Sequence, residues 1–502
     1  MGIVRRESIR STIFSYIGIL IGFISQTFIF TNLLTTQIVG LIRVLQSFAG
    51  LQAEVGQLSI QTTTGRFFPY FRNKENGHHG FLMMSILLTS FGFLLIFLLT
   101  FVFRNAIVGW YNEQSPLFAQ KFYYAFPIAL ALIYITVFES YLRMLYRIIF
   151  STILKEIYIR LFALGAVLLF YFKMVDLDGF LLIFSGTYAL AAILMIIYLK
   201  MLGELHFKIN TQVLTKDFLK EIRQYISYTY VTILVHRGIL EMDKIFIAAM
   251  NGLGAAGIYS VTSLMANVIS MPVNAIGNIS ISFISEAFKA NDQTKIREIY
   301  HKASLNQFIA SALLFLLIWF NADSFFSFMP DEYSQGKIII LLIGIAKLTD
   351  AICANSNSII LLSNYYSFMM FSGSFVLAFL IAANIFFIRL MGISGAAVAI
   401  LTSVVLHNSL KVGFVWWKLK IHPFTLNLGK TIGIFLIMLL IFEFIPDLLS
   451  PVLDIILKSI LILVIYLSLV IYLKVSIEIN QLKIEIVDRL IVYYKTITNR
   501  SK

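Results

Sequence analysis

Cysteine is almost missing. Cys353 is the one thiol in 502 residues, which rules out an intramolecular disulfide, and its place in an apolar run reads as a small core residue. Charge is scarce too. Asp, Glu, Lys and Arg make up 13% of the chain, about half the roughly 25% of a soluble domain, and this deficit excludes a water-soluble fold. Catalytic signatures are missing: no phosphate-binding loop, Gly-x-Ser-x-Gly elbow or aspartate-rich motif occurs. His78 and His79, adjacent in RNKENGHHG, make a poor metal site. No cofactor is implied, and the chain is expected not to be an enzyme. Long loops are missing as well, so no soluble domain is left to hold an active site.

What is present is apolar length. The chain is 59% hydrophobic with a mean hydropathy of +0.86. Charge-free runs such as Phe81–Phe103 and Gly179–Leu199 exceed the roughly 18–20 residues needed to cross hydrocarbon as a helix. The expected fold is an all-α polytopic membrane protein. Fourteen spans are expected, near 9–31, 38–65, 80–103, 119–142, 148–172, 178–200, 222–250, 255–284, 304–322, 336–362, 366–388, 393–417, 430–446 and 455–473. The start, MGIVRRESIRSTIF, lacks a small-residue cleavage signal and reads as an uncleaved first span.

Alternate connections carry 29 of the lysines and arginines, and the opposite set carries 8. That bias places both termini in the cytoplasm. It also accounts for the net charge of +13 without a nucleic-acid partner. Lys155, Arg160 and Lys411 fall in the basic set. The longest polar connection, about Lys200–Arg223, reads partly as an amphipathic surface helix.

Span two is not uniformly apolar. At 100° per residue Arg43, Ser47, Gly50, Glu54, Gln57 and Gln61 fall in one narrow sector. A polar stripe on a membrane helix faces a wet cavity or a partner helix rather than lipid. Sliding the chain by 217 positions lays Val39-Gly40-Leu41 on Ala256-Gly257-Ile258. The stripe recurs there as Ser260, Ser263, Asn267, Asn274, Asn278 and Ser282, with Pro272 expected to kink span eight. This is a parallel repeat with six spans per half. The expected division is residues 1–215, 216–418 and an appended 419–502.

Other membrane charges are Arg237, Glu241, Asp243 and Lys244 in span seven, Lys347 and Asp350 in span ten, and Glu139 with Arg143 in span four. Arg237–Glu241 is an i,i+4 pair that partly neutralises itself; Glu139 and Arg143 have the same spacing, and Arg143 and Lys244 lie close enough to span ends to snorkel. Arg43, Arg237 and Lys347 are the candidate cavity cations, suited to an anion such as a pyrophosphate. Glu54, Asp243 and Asp350 are the carboxylates available for ion coupling. In span one, Ser11, Ser15, Gly18, Gly22 and Gln26 share a face that reads as close helix packing.

Several stretches resemble a known group. VGLIRVLQSFAGL, followed by GRFFPYFRNKENGHHGF, is similar to the second-span signature of polysaccharide-biosynthesis flippases of the multidrug/oligosaccharidyl-lipid/polysaccharide exporter superfamily. LEMDKIFIAAMNGLGAAGIYSV resembles that family's span seven–eight junction through Asp243, Leu253, Gly254, Gly257 and Tyr259. MGISGAAVAILTS, residues 391–403, resembles the start of its twelfth span. The resemblance implies two pseudo-symmetric six-helix lobes plus two C-terminal helices. It implies a bacterial inner-membrane flippase for an undecaprenyl-pyrophosphate-linked oligosaccharide, acting beside polysaccharide polymerase and glycosyltransferases. Two rivals are weighed against it. An ion-coupled multidrug exporter of the same superfamily usually has twelve spans and would want an acidic cavity. A membrane polymerase or ligase would need a sizeable outward loop, and no outward loop here exceeds roughly twenty residues.

Overall fold

The computed structural model describes residues 2–210, 213–445 and 450–481. Five of the basic residues expected in the C-terminal tail, from Lys483 onward, lie outside them. The chain is helical from Gly2 on, because runs this apolar satisfy their backbone groups in a membrane only by internal hydrogen bonds. Among the described residues twelve helices are long and apolar enough to cross a membrane. One of them, Lys216–Lys289, runs for 74 residues, far beyond a single crossing. Gly252, at φ 91°, breaks it between spans seven and eight. The fifth expected span is helical over residues 148–171 but holds Lys155, Glu156 and Arg160. Among the described residues, each of the fourteen expected spans therefore falls on helix, the thirteenth as far as Glu443.

Contacts within the chain divide it into two units, Met1–Leu264 with Gly373–Ala399, and Met265–Ser372 with Ile400–Lys502. In the first unit span one departs from α geometry at a π turn, Ser25–Ile29, and span five does so at Leu154–Tyr158. The small-residue face of span one packs on span five. A side chain at Gly18 or Gly22 would strike Glu156 or Arg160, and Ser11 Oγ lies 2.8 Å from Thr152 Oγ1.

Span two corrects the picture of one straight striped helix. It is two helices, Thr36–Gly56 and Ile60–Phe71, joined through Leu58 (φ 50°) and Ser59 (φ 59°) in the left-handed region. The stripe therefore keeps its register only through Glu54. Gln57 sits at the break and is 5% exposed, while Gln61 begins a new exposed face.

The connection after span six is helical only in its last part, where the amphipathic stretch is continuous with span seven. Residues 204–210 are non-helical and reach the loop before span three. There Asn210 N donates to the His79 carbonyl at 3.1 Å, and His78 Nε2 lies 3.1 Å from Glu204. The helix restarts at Lys216 and continues into span seven. Gly77, His78, His79 and Gly80 are successive left-handed residues, a conformation that costs a non-glycine residue about 1–2 kcal/mol.

The repeat is visible as a reciprocal contact. A Cβ on Gly40 would strike the Leu253 carbonyl, and one on Gly257 would strike the Thr36 carbonyl. Gly257 and Leu253 are the residues 217 positions after Gly40 and Thr36. Each glycine thus meets the mate of the residue that its own mate meets, which is the pattern of a two-fold axis between spans two and eight.

In the second unit Val268–Ser270 forms a tight turn directly before Pro272, so the expected interruption of span eight is found. The appended spans, Leu426–Glu443 and Pro451–Tyr472, pack on span nine, Gln293–Phe320. Phe308, Phe315, Phe435 and Tyr466 share a buried cluster, and Tyr466 Oη donates to the Ile309 carbonyl at 3.0 Å.

Gly40→Ala should force the two backbones apart, costing about 1–3 kcal/mol by overpacking. Thermal unfolding in detergent is expected to shift downward for Gly40→Ala. Gly186→Ala, on a helix face with open space around it, should leave it unchanged or raise it. Equal behaviour of the two would refute the tight crossing.

Candidate functional site

Two polar constellations form in the first unit. The first surrounds Arg43. Its Nη2 donates to Gln26 Oε1 at 2.9 Å and its Nη1 to Gln46 Oε1 at 3.3 Å. Gln46 Nε2 in turn donates to Tyr188 Oη at 2.7 Å. These groups line a cavity of about 210 Å³ together with Lys155, Glu156, Arg160 and the apolar side chains Phe30, Ile42, Leu132, Ile135, Ile159, Ala163 and Phe184. Gln26 comes from the π turn of span one; Lys155 and Glu156 come from that of span five. A π turn inserts one residue into the helical repeat and re-aims what it carries.

Charge in this cavity is partly matched. Arg160 pairs with Glu156 at 2.6 Å and also donates to the Gly18 carbonyl. Lys155 pairs with Glu139 at 2.6 Å, and Glu139 also takes Arg143 at 3.1 Å. Arg43 is held by amide oxygens in these contacts. Three cations and one carboxylate line the wall, and two of the cations, Lys155 and Arg160, are paired with Glu139 and Glu156. The sequence reading assigned Lys155 and Arg160 to a basic connection; the structure makes them wall residues beside Arg43. Gln46 and Tyr188 carried no such assignment.

The second constellation joins spans two and seven. Glu241, its side chain 12% exposed, accepts from Ser47 Oγ at 2.7 Å and from Lys244 Nζ at 2.8 Å, and pairs with Arg237 at 3.2 Å. Arg237 lies over Gly50, where any side chain would collide with it. Glu54 is within electrostatic reach of Arg237 and accepts from Gln57. The expected i,i+4 neutralisation of Arg237 by Glu241 is found, and Lys244 adds to it. Arg43 and Arg237 belong to different clusters. Asp243 is 3% exposed, and its carboxylate accepts from the Lys244 amide at 2.8 Å.

The remaining candidates lie in the second unit. Asn267, Asn274 and Asn278 are exposed, and Lys347 is half-buried. Asp350 does not answer Lys347, its i,i+3 neighbour. It accepts from Asn408 Nδ2 at 2.8 Å and stands within electrostatic reach of Lys411. Lys411 is 7% exposed, which corrects its placement in a basic connection. A lysine buried at membrane depth is costly unless a carboxylate lies near, and Asp350 is the carboxylate within electrostatic reach. Among the described residues no group of three His, Cys, Asp or Glu is placed to hold a metal ion.

Removing Glu241 alone should leave two cations at membrane depth, a loss of about 3–5 kcal/mol. Glu241→Leu is expected to lower the melting temperature in detergent sharply. The triple replacement Arg237→Met, Glu241→Leu, Lys244→Met should recover most of it. A triple variant no more stable than the single would show that the charges are not acting as one unit.

Neither a comparison with protein-family models nor one with curated protein sequences finds a match. Solved structures do match. One described as the lipid II flippase MurJ in an inward closed conformation aligns over 92% of this chain and 99% of its own, with a TM-score of 0.73 at 13% identity. An inward-facing multidrug resistance MATE family transporter of the MOP superfamily aligns over 80% and 93%, with a TM-score of 0.62 at 11% identity. A point mutant of the Vibrio cholerae MATE transporter VcmN aligns over 84% and 98%, with a TM-score of 0.56 at 13% identity. The chain has the fold of these membrane transporters.

Proposed function

We propose that the protein is a transporter, not an enzyme, and that it flips an undecaprenyl-pyrophosphate-linked oligosaccharide across the bacterial inner membrane during surface polysaccharide biosynthesis. The observation that carries this reading is the cation-lined wall around Arg43. A drug cation would be repelled there, whereas a pyrophosphate suits a guanidinium. Fold similarity supports it: the lipid II flippase structure spans 92% of this chain, and the two MATE transporters span 80% and 84%.

In this reading the halves 1–215 and 216–418 rock about the Gly40–Gly257 crossing to alternate access, with 419–502 appended and both termini cytoplasmic. Arg43 leads the substrate cavity, with Ser47, Glu54, Gln57, Gln61, Arg237, Asn267, Asn274, Asn278 and Lys347 as its further candidate lining. Glu54, Asp243 and Asp350 remain the candidates for ion coupling. Membrane lipids surround it, and a polysaccharide polymerase and glycosyltransferases would supply and consume its cargo.

The test uses the purified protein in proteoliposomes with a fluorescent polyprenyl-pyrophosphate oligosaccharide, read by protection from a membrane-impermeant quencher. Wild-type protein should move the probe between leaflets. Arg43→Ala should slow this roughly tenfold or more, the loss expected for a charge-assisted hydrogen bond, and Arg43→Lys should retain part of it. Ethidium efflux by the same vesicles without movement of the lipid probe would overturn the reading in favour of a multidrug exporter.

A further inference from the structure

A second cavity of about 210 Å³ lies at the opposite end of span two, between the helix Ile60–Phe71, the start of span three and the helical segment leading into span seven. Its wall is apolar apart from Thr63 and Ser85. Ser85 Oγ donates to the Phe81 carbonyl at 2.8 Å. Thr63 is 5% exposed, and its hydroxyl has no hydrogen-bond partner. Buried hydroxyls are almost always paired, so this one points to a missing acceptor.

The rim is basic. The segment whose Leu219, Ile222 and Ile226 form one wall carries Lys216, Lys220 and Arg223 exposed on the face beside them. Of its two acids, Glu221 is taken by Arg66 at 2.9 Å, which leaves Asp217 against three cations. Arg66 is one turn along the helix from Thr63, about 4.5 Å of rise. Polarity therefore falls in steps: cations at the rim, the Thr63 hydroxyl one turn from Arg66, then hydrocarbon.

We propose that this cavity holds one acyl chain of an anionic glycerophospholipid. The chain fills the apolar wall, its ester carbonyl accepts from the Thr63 hydroxyl, and the phosphate lies against Lys220 and Arg223. The ester selects this occupant over a polyprenyl phosphate, which has no carbonyl at that depth. The site is separate from the Arg43 cavity and does not depend on the cargo transported.

The test is native mass spectrometry of the full-length protein after exchange into phosphatidylcholine micelles containing phosphatidylglycerol, with its diether analogue as a second probe. Wild-type protein should retain one phosphatidylglycerol per chain in preference to phosphatidylcholine, and the diester in preference to the diether. Lys220→Gln and Arg223→Gln should each lower that retention about fivefold, the worth of one basic residue at an anionic surface. Met84→Trp should block the cavity. Thr63→Val, which keeps the side-chain volume, should abolish the diester preference while leaving the protein folded. Equal retention of the neutral and anionic lipids would overturn the proposal. So would a diester preference unchanged in Thr63→Val, or displacement of phosphatidylglycerol by equimolar undecaprenyl phosphate.

Discussion

Charge at membrane depth has to be answered from within the chain, and that requirement organises the first unit. Glu241 answers Arg237 and Lys244 and takes the Ser47 hydroxyl as well. One carboxylate thereby fixes the rotation of span seven against span two. Water would dilute such contacts to a fraction of a kcal/mol; in hydrocarbon the alternative is an unsatisfied ion. The same rule explains Asp350 beside Lys411 in the second unit, and the paired Lys155 and Arg160 around the Arg43 cavity.

Backbone approach is the other constraint. At Gly40 and Gly257 two helices come close enough that neither tolerates a side chain. In a membrane this proximity is itself the attraction, since lipid offers no hydrophobic drive between helices. Because the contact is reciprocal between repeat mates, one small-residue position serves both halves of the chain.

Much of this was legible from the residues. The spans follow from apolar length alone, and the repeat from aligning Gly40 with Gly257. The pairing of Arg237 with Glu241 follows from i,i+4 spacing, and the interruption of span eight from Pro272. Other features leave no local mark. Nothing in Gln57-Leu58-Ser59 announces a left-handed break, because neither glycine nor proline stands there and packing imposes the bend. Lys155, Arg160 and Lys411 lie near the ends of apolar runs, where a basic side chain ordinarily reaches the headgroups. What answers them is a carboxylate distant in sequence or the other member of an i,i+4 pair. The Arg43 cavity is hidden for the same reason: its lining comes from five separate spans, and no single stretch contains it.

The two π turns flanking that cavity carry an implication for how such a site is altered over time. Each holds one residue more than the α-helical repeat requires. Deleting a single residue within Ser25–Ile29 or Leu154–Tyr158 would restore an ordinary helix without shortening its hydrogen-bonded ladder elsewhere. It would also re-aim the residues of the turn itself, while the helix on either side keeps its face. Gln26 would then swing off Arg43, or Lys155 and Glu156 off the wall, while both helices still crossed the membrane. The polarity of the cavity is thus held by one residue of surplus length in each helix, a setting that a single codon gained or lost could reset without dismantling the fold.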